Sequence, residues 1–161
     1  MAGRTSNEVV IDAPIDTVWR ITNDVAGWPQ LYSEYAEANI LERRGNTVRF
    51  ELVMHPDENG VVWRWVSERT AYDAERKVYA HRVETGPFAF MQIYWEYEEL
   101  GPEQTLMRWD QHFSMKPTAP VDDAQMTARI NSNTPLQMAL IKAKVEESHR
   151  AEAASCPAPA A

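Results

Sequence analysis

Six extended segments in succession, separated only by short turns, constrain the fold of this chain more than any other feature. Turns such as Gly86-Pro87 and Gly101-Pro102 join strands that neighbour one another, so the pattern predicts an antiparallel meander. A sheet of this size twists and is expected to curl. The predicted strands are residues 36–43, 47–54, 61–72, 77–84, 88–98 and 105–115.

Helices are predicted around this run of strands. A strand at residues 7–12 comes first, and a helix then begins near Pro14, because proline suits the first turn of a helix. A second, short helix is predicted from Gly27, and its apolar residues at spacings of three to four share one face. These residues are Trp28, Leu31, Tyr32 and Tyr35.

A third, long helix is predicted after a linker at residues 116–120 that contains two prolines. It begins at Asp122 or Asp123, ends at about Ala151, and is expected to kink at Pro135, which removes one backbone hydrogen bond. The face predicted to pack inward carries Met126, Ile130, Asn133 or Thr134, Gln137, Ile141 and Val145.

This order of elements predicts an α+β fold of the helix-grip type. The long helix is the only predicted element that can close the open face of the curved sheet. We therefore expect a curved antiparallel sheet of about seven strands wrapped round a long C-terminal helix, with two short helices and an interior cavity. Residues 1–151 are interpreted as a single domain, and the Ala- and Pro-rich residues 152–161 as a disordered tail.

Composition narrows the class of partner. The net charge of −8 argues against a nucleic-acid partner, which would need a broad basic face. No apolar run approaches the roughly 20 residues of a membrane span, and the first residues lack the apolar core of a signal peptide. The single cysteine, Cys156, cannot form an internal disulfide, so we expect a cytoplasmic protein without a membrane partner.

The segment VVWRWVSERT, residues 61–70, carries the most informative pattern. Alternation places Val61, Trp63, Trp65, Ser67 and Arg69 on one strand face. Indoles make a poor solvent face, and a guanidinium buried in an ordinary core needs partners. Both features are explained if this face lines an aromatic cavity, in which the hydroxyl and the fixed cation face an oxygen-rich ligand. A half-buried strand whose Arg69 reaches a surface carboxylate is the alternative.

Two histidines invite a catalytic interpretation that alternation opposes. His112 is out of phase with Trp109 and Gln111, and His81 is out of phase with Arg82, so both are predicted to face outward. Neither accompanies a Ser or Cys nucleophile in a recognisable arrangement, so a hydrolase triad is not expected.

Four stretches carry a resemblance to a known family: TNDVAGWPQLYSEYAEANIL (22–41), NGVVWRWVSERT (59–70), AHRVETGPFAFM (80–91) and MRWDQHFSMKPTAP (107–120). They resemble the monodomain aromatase/cyclases of type II polyketide pathways, of the tetracenomycin and spore-pigment kind. These belong to the START-like, helix-grip superfamily. The resemblance spans most of residues 9–150, and the combination of WxWxSxR with HRVETGPF is specific.

The resemblance implies a reaction. Such enzymes receive a poly-β-ketone from an acyl carrier protein and fold it. They then close the first six-membered ring by aldol condensation, usually between C9 and C14, and dehydrate it to an aromatic ring. The implied partners are the acyl carrier protein and other subunits of a type II polyketide synthase. No metal or redox cofactor is implied, and the sequence offers no His/Cys ligand cluster.

Two residues match family positions proposed as catalytic. Arg69 is expected to stabilise an enolate or alkoxide oxygen, because its guanidinium is permanently charged and donates in a fork. Tyr35 is expected to exchange protons with the substrate from the short helix across the cavity mouth. The alternative for Tyr35 is a core tyrosine whose hydroxyl binds a backbone carbonyl.

Further residues are expected to bind substrate or support the site. Ser67 is expected to hold a water or a substrate carbonyl, or to be a plain strand serine. For Arg82 we favour an ion pair with Glu84 or a neighbouring acid over substrate contact. The aromatic and apolar walls are expected to be Trp28, Tyr32, Trp63, Trp65, Phe88, Met91, Trp95 and Trp109, with Gln111, Ile130 and Gln137 also facing inward.

A binding module is the competing class of function. A helix-grip carrier that shelters a hydrophobic polyketide needs the same aromatic walls, and Arg69 opposite Tyr35 favours chemistry over carriage. Acyl carrier proteins are usually acidic, as this chain is, so docking requires a local basic patch. The candidates are Arg43, Arg44, Arg129, Lys142 and Lys144.

Overall fold

The computed structural model describes residues 2–155, which form seven strands and three α-helices within that range. In chain order these are β1 (Gly3–Ile11), α1 (Ile15–Thr22), α2 (Trp28–Leu31), β2 (Tyr35–Arg44), β3 (Thr47–Met54), β4 (Arg64–Tyr72), β5 (Lys77–Glu84), β6 (Phe88–Gly101), β7 (Gln104–Met115) and α3 (Asp123–Ser155). A single 3₁₀ turn, Val25–Gly27, lies between α1 and α2.

The strands form one antiparallel sheet in the order β1-β7-β6-β5-β4-β3-β2. Strands β2 to β7 are the predicted meander, and β1 extends it by pairing with β7. Bulges interrupt the register of β2 at Tyr35/Glu37 and Ile40/Glu42, and bulges bend a sheet. The predicted α+β helix-grip architecture is confirmed.

Helix α3 packs along the open face of the sheet and closes it. Its buried side consists of Met126, Thr134, Gln137, Met138, Ile141 and Val145, so the predicted stripe omitted Met138. Ile141 and Val145 belong to one hydrophobic cluster with Ile11 of β1, Val18 of α1 and Met107 of β7. Exposed Pro135 lies inside α3, and the helix continues on both sides of it.

Several predicted boundaries differ from the structure: β1 begins at Gly3 and not at residue 7, and β6 ends at Gly101 and not at residue 98. Strand β4 begins at Arg64 and not at Val61, because Asp57 Oδ1 accepts a hydrogen bond from the Val61 backbone N–H (3.0 Å) within the β3–β4 loop. Helix α3 passes Ala151 and continues to Ser155, and Glu152 forms an ion pair with Arg20 of α1 at 2.6 Å. The rest of the predicted tail, 156–161, lies outside the described residues.

None of the helices within residues 2–155 combines the length and apolar character that a membrane-spanning helix needs.

Candidate active site

A cavity of about 840 Å³ lies between the inner face of the sheet, α3 and the α2–β2 segment. This volume is in the usual range for small-molecule sites. A second cleft of about 760 Å³, at the start of β1 and the β7–α3 connection, contains none of the predicted site residues. The cavity lining includes all of those residues: Trp28, Tyr32, Tyr35, Trp63, Trp65, Ser67, Arg69, Arg82, Phe88, Met91, Trp95, Trp109, Gln111, Ile130 and Gln137.

Arg69 is buried in the cavity wall, only 3% exposed. Its Nη2 and Nε donate to Asn23 Oδ1 at 2.9 and 3.3 Å. Its Cζ lies 4.0 Å from the ring centroid of Trp95 and 5.3 Å from that of Trp28. Among residues 2–155 no carboxylate pairs with Arg69, so the interpretation that it reaches a surface carboxylate is wrong.

The third guanidinium nitrogen, Arg69 Nη1, is buried without a hydrogen-bond partner in the described part of the chain. Burial lowers the pKa of Arg69, while the hydroxyls of Tyr97 and Tyr32 raise it. The indole N–H of Trp109 is buried and unpartnered within 2–155 as well. Because unsatisfied buried donors are costly, these two donors in a cavity wall suit a molecule that carries oxygen acceptors.

Arg82 is the second guanidinium of the cavity. It pairs across β4 and β5 with Ser67, on the same sheet face as Arg69. Its Cζ lies 4.0 Å from the ring centroid of Trp65 and 4.4 Å from that of Phe88. Burial lowers the pKa of Arg82 to about 10, so it is a cation at neutral pH.

The expected Arg82–Glu84 ion pair is wrong, since the salt bridges within residues 2–155 include none to Arg82. Glu84 is exposed, and Arg82 lies under the two aromatic rings instead. The cavity therefore contains two cations that no carboxylate of the described chain neutralises by direct contact.

Tyr35 is the first residue of β2, and its predicted position on the short helix is wrong. Helix α2 ends at Leu31 because Tyr32 is already extended, with ψ of 153°. The ring of Tyr35 contacts Tyr32 (4.8 Å between centroids) and Trp65 (6.1 Å). Within residues 2–155 its hydroxyl has no backbone-carbonyl partner, and the neighbouring side chain is the carboxyl of Glu34.

The pKa of Tyr35 is raised well above its ordinary value by burial and then by the nearby Glu34 carboxyl. The phenol therefore keeps its proton at neutral pH. It can donate a hydrogen bond to a substrate oxygen or pass a proton between two oxygens, but it is not ionised to a phenolate that could act as a base.

Aromatic rings form a continuous wall beside Arg69. Trp28 and Trp95 are nearly parallel, with 6.0 Å between centroids and 5° between planes. Trp95 and Trp109 lie closer still, at 4.5 Å and 27°. Flat walls of this kind favour a planar guest through stacking.

The segment before Tyr35 is fastened to α3. Gln137 Nε2 donates to Ser33 Oγ at 2.8 Å, and the Ser33 backbone N–H donates to Gln137 Oε1 at 3.0 Å. One helix turn away, Asn133 Nδ2 donates to Glu34 Oε2 at 2.9 Å. Gln137, predicted to face inward, thus holds the position of the chain that carries Tyr35.

Sequence reasoning missed three polar residues of the site: Asn23, Glu34 and Tyr97. Asn23 follows α1 and is the main partner of Arg69, and Tyr97 adds a hydroxyl beside that cation. Glu34 immediately precedes Tyr35 in the resembling stretch, which is the one signal that could have found it.

The histidines lie at the edge of the site or outside it. His112 contacts Tyr94 at 5.6 Å between centroids and does not line the cavity. His81 touches the cavity edge, but its ring stacks on Tyr79 and its Nε2 lies 3.8 Å from Glu68 Oε1. Among residues 2–155 no three His, Cys, Asp or Glu side chains cluster closely enough to hold a metal ion.

Of the five candidate docking cations, Arg129 lies in the cavity lining. Arg44 pairs with Glu42 and Glu68, and Lys142 pairs with Asp12 and Glu146. The amine of Lys144 donates to the backbone carbonyl of Gln30. Arg43 is exposed at the end of β2. Arg64, which was not a candidate, also lines the cavity; it is largely exposed, and its Nη1 lies 3.8 Å from Glu51 Oε2.

Comparison with known proteins agrees with this geometry. The family described as "Polyketide cyclase / dehydrase and lipid transport" matches residues 2–146. A protein of Streptomyces cyaneus named "Putative polyketide cyclase" is 60% identical over 147 residues, covering 91% of this chain and 96% of its own length.

Two solved structures share the fold. The ZhuI aromatase/cyclase of Streptomyces sp. R1128 superposes with a TM-score of 0.77 at 18% identity, over 93% of this chain and 94% of its own. A START superfamily protein of Mycobacterium smegmatis superposes with a TM-score of 0.74 at 21% identity, over 89% of this chain and 97% of its own. The family match and the 60% relative together mean that this chain belongs to the polyketide cyclase/dehydrase family, on a START-like helix-grip fold.

Proposed function

We propose that this protein folds an acyl-carrier-bound poly-β-ketone, closes its first ring by aldol condensation between C9 and C14, and dehydrates that ring to an aromatic one. The product class is a spore pigment or a related aromatic polyketide. The observation that carries the proposal is the unpartnered Nη1 of buried Arg69 in a tryptophan-lined cavity.

The reaction requires an oxyanion to form inside the cavity. When a methylene loses its proton and attacks a carbonyl, negative charge passes from an enolate to an alkoxide oxygen. Nε and Nη2 of Arg69 are both fixed on Asn23, so the unpartnered Nη1 group is held in place before the substrate arrives. A preorganised cation in a low-dielectric wall stabilises developing charge more than a mobile one does.

Conformation decides which carbons meet. A methylene between two carbonyls is acidic without help, so the barrier is largely that of holding the chain in a near-attack shape. Trp28, Trp95 and Trp109 provide flat walls, and Arg82 provides a second positive group for the carbonyls along the chain. Tyr35 then exchanges the proton at the reacting oxygen.

The substrate arrives on a carrier, and the cavity mouth supplies the cations for docking. Arg129 and Arg64 both line the cavity, from α3 and β4 respectively. They suit the phosphate of a carrier's prosthetic arm and the acidic surface around it. The partners proposed are the acyl carrier protein and the other subunits of a type II polyketide synthase.

Co-expression with a minimal polyketide synthase tests the proposal. With this protein present, we expect one product with a C9–C14 first ring to replace the mixture formed by spontaneous cyclisation. A non-catalytic carrier would change the total yield while leaving the ratio of cyclised products as it is without the protein. An unchanged ratio therefore contradicts the enzymatic function and favours the carrier.

A further inference from the structure

Glu34 is a carboxyl group in the cavity wall to which the reaction above gives no role. It lies between α2 and β2 and is half-buried. Its Oε2 accepts a hydrogen bond from Asn133 Nδ2 at 2.9 Å, and its backbone carbonyl accepts one from the His55 N–H at 3.0 Å. Both the chain position and the side-chain orientation of Glu34 are thus fixed by other elements.

The groups that face this carboxyl come from three elements. Tyr35 of β2 lines the same cavity and acts on the pKa of this carboxyl, as does the charge of Arg82 of β5, and Asn133 of α3 holds it by a hydrogen bond. The charge of Glu34 also raises the pKa of the Tyr32 hydroxyl at the end of α2. Arg82 does not come within ion-pairing distance of Glu34 among the described salt bridges, so the carboxyl is not locked in the charged form.

We propose that Glu34 stores the proton that Tyr35 exchanges with the substrate, acting as a positioning residue through the Tyr35 hydroxyl. This inference rests on the proposed function and deepens it. Tyr35 alone is a poor base, because burial keeps its phenol protonated. A carboxylate behind the phenol allows the phenol to give up one proton as it takes another, without ever becoming a free phenolate.

The proton balance closes over both steps. In the aldol step the methylene C–H bond breaks, its proton passes through Tyr35 to the Glu34 carboxylate, and the enolate carbon bonds to the carbonyl carbon. The same proton returns through Tyr35 to the new alkoxide. In the dehydration step the second proton of that carbon follows the same route and is returned to the hydroxyl, which leaves as water. Glu34 ends each step as the carboxylate it began as.

The electrostatics of the site support this use. Burial raises the pKa of Glu34, while Asn133, Tyr35 and the charge of Arg82 oppose the rise. A carboxyl whose pKa is raised toward the working pH both accepts and returns a proton more readily than an exposed one. Asn133 donates to one carboxyl oxygen of Glu34, Oε2, so the hydrogen bond from Asn133 does not occupy Oε1.

A titration of the folded protein tests the inference without substrate. Protein carrying glutamate labelled with ¹³C at the side-chain carboxyl is followed by NMR from pH 3 to 9, and the Glu34→Gln spectrum assigns the Glu34 signal. We expect that signal to titrate above those of exposed glutamates, and Tyr35→Phe to shift its midpoint. A Glu34 midpoint no higher than those of the exposed glutamates would overturn the inference.

Activity against pH tests the proton transfer itself. In a reconstituted minimal synthase, the spontaneous reaction is subtracted and the rate of directed product is measured from pH 5 to 9. We expect the wild-type rate to rise with the ionisation of Glu34. Glu34→Gln should lose this rise of rate with pH, and its rate should fall by about tenfold or more. General acid–base groups typically contribute a factor of about 10²–10⁴ to the rate, and we expect a factor at or below the low end of that range because the methylene is already acidic. Glu34→Asp should recover part of the rate with a displaced limb.

The control is Glu37→Gln, which removes a nearby exposed carboxylate of β2 and should leave rate and profile unchanged. If Glu34→Gln is folded and retains the wild-type profile, the inference fails while the proposed function stands. If Glu34→Gln does not fold, Glu34→Asp decides, since an undisplaced limb would contradict the inference. If wild-type protein directs no product at all, the proposed function itself fails.

Discussion

Replacing Trp95 and Trp65 separately by alanine should have unequal effects on stability, although both tryptophans line the cavity. Trp95 is 4% exposed, stacks on Trp28 and Trp109, and lies 4.0 Å beneath the guanidinium of Arg69. Truncating a buried tryptophan costs about 3–5 kcal/mol, and the cation–π contact adds about 1 kcal/mol. Because one side of the ring already faces the cavity, we expect Trp95→Ala to lose about 3 kcal/mol.

Trp65 is half-buried, and its main contacts are Arg82 at 4.0 Å and the edge of Tyr35. We expect Trp65→Ala to lose about 1 kcal/mol, mostly the cation–π contact. For a domain of this size, a change of 1 kcal/mol shifts Tm by about 2–4 °C. The Tm of Trp95→Ala should therefore fall by about 6–12 °C and that of Trp65→Ala by about 2–4 °C.

The assay combines thermal or urea unfolding with product analysis in a reconstituted synthase. Both variants should remain folded at 25 °C and give a broader mixture of cyclised products, because each removes part of a wall. Equal losses of stability would refute the distinction between a core tryptophan and a cavity-rim one. An unchanged product ratio in a stable variant would show that the walls do not steer the chain.

Three further predictions follow from single contacts. Tyr35→Phe should change Tm by less than about 2 °C, because the hydroxyl has no backbone partner within residues 2–155, yet the directed product should fall sharply; a large Tm loss with unchanged product would identify a structural hydroxyl. Because the pKa of Glu34 is raised in the folded state, its contribution to stability is full below its unfolded pKa of 4.5 and is lost as pH rises through the folded pKa. The free energy of unfolding, measured with urea from pH 4 to 8, should therefore decline with pH, and this decline should be weaker in Glu34→Gln. Truncation after Ala151 removes the Arg20–Glu152 ion pair, whose side chains are both more than half exposed, so the free energy of unfolding should change by less than about 1 kcal/mol, and a larger loss would mean that the final turn of α3 is structurally required.

Periodicity alone predicted most of the fold and the inner face of the sheet. Two-residue alternation in β4 placed Ser67 and Arg69 on the cavity side, and the stripe on α3 placed Gln137 there. Both predictions succeed because strand and helix geometry fixes which face a side chain takes, whatever it contacts. The sequence also indicated a cation in an aromatic wall.

Partners across long sequence separations could not be predicted in this way. Arg69 is held by Asn23, 46 residues away, and Glu34 by Asn133, 99 residues away. Such pairs depend on how the curved sheet brings α1 and α3 over its inner face, which alternation does not specify. The expectation that Arg82 pairs with Glu84 failed for the same reason, because a residue two positions along a strand shares its face without meeting it.

The position of Tyr35 failed for a local reason. A spacing of three to four residues predicted that Trp28, Leu31, Tyr32 and Tyr35 share one helix face, but α2 is only four residues long. A bulge between Tyr35 and Glu37 then turns the start of β2 inward. The ring therefore reaches the cavity from a strand, by a route that helical periodicity does not describe.

The central claim is that the free N–H of Arg69 stabilises the developing oxyanion, and product analysis of Arg69 variants in a reconstituted minimal synthase tests it most directly. Arg69→Ala and Arg69→Lys are compared with Arg4→Ala, which removes an exposed arginine of β1 outside the cavity lining. The account predicts that both Arg69 variants are folded and return the spontaneous mixture, with Lys recovering part of the directed product, while Arg4→Ala matches wild type. A folded Arg69→Ala variant that gives the wild-type product ratio would contradict it.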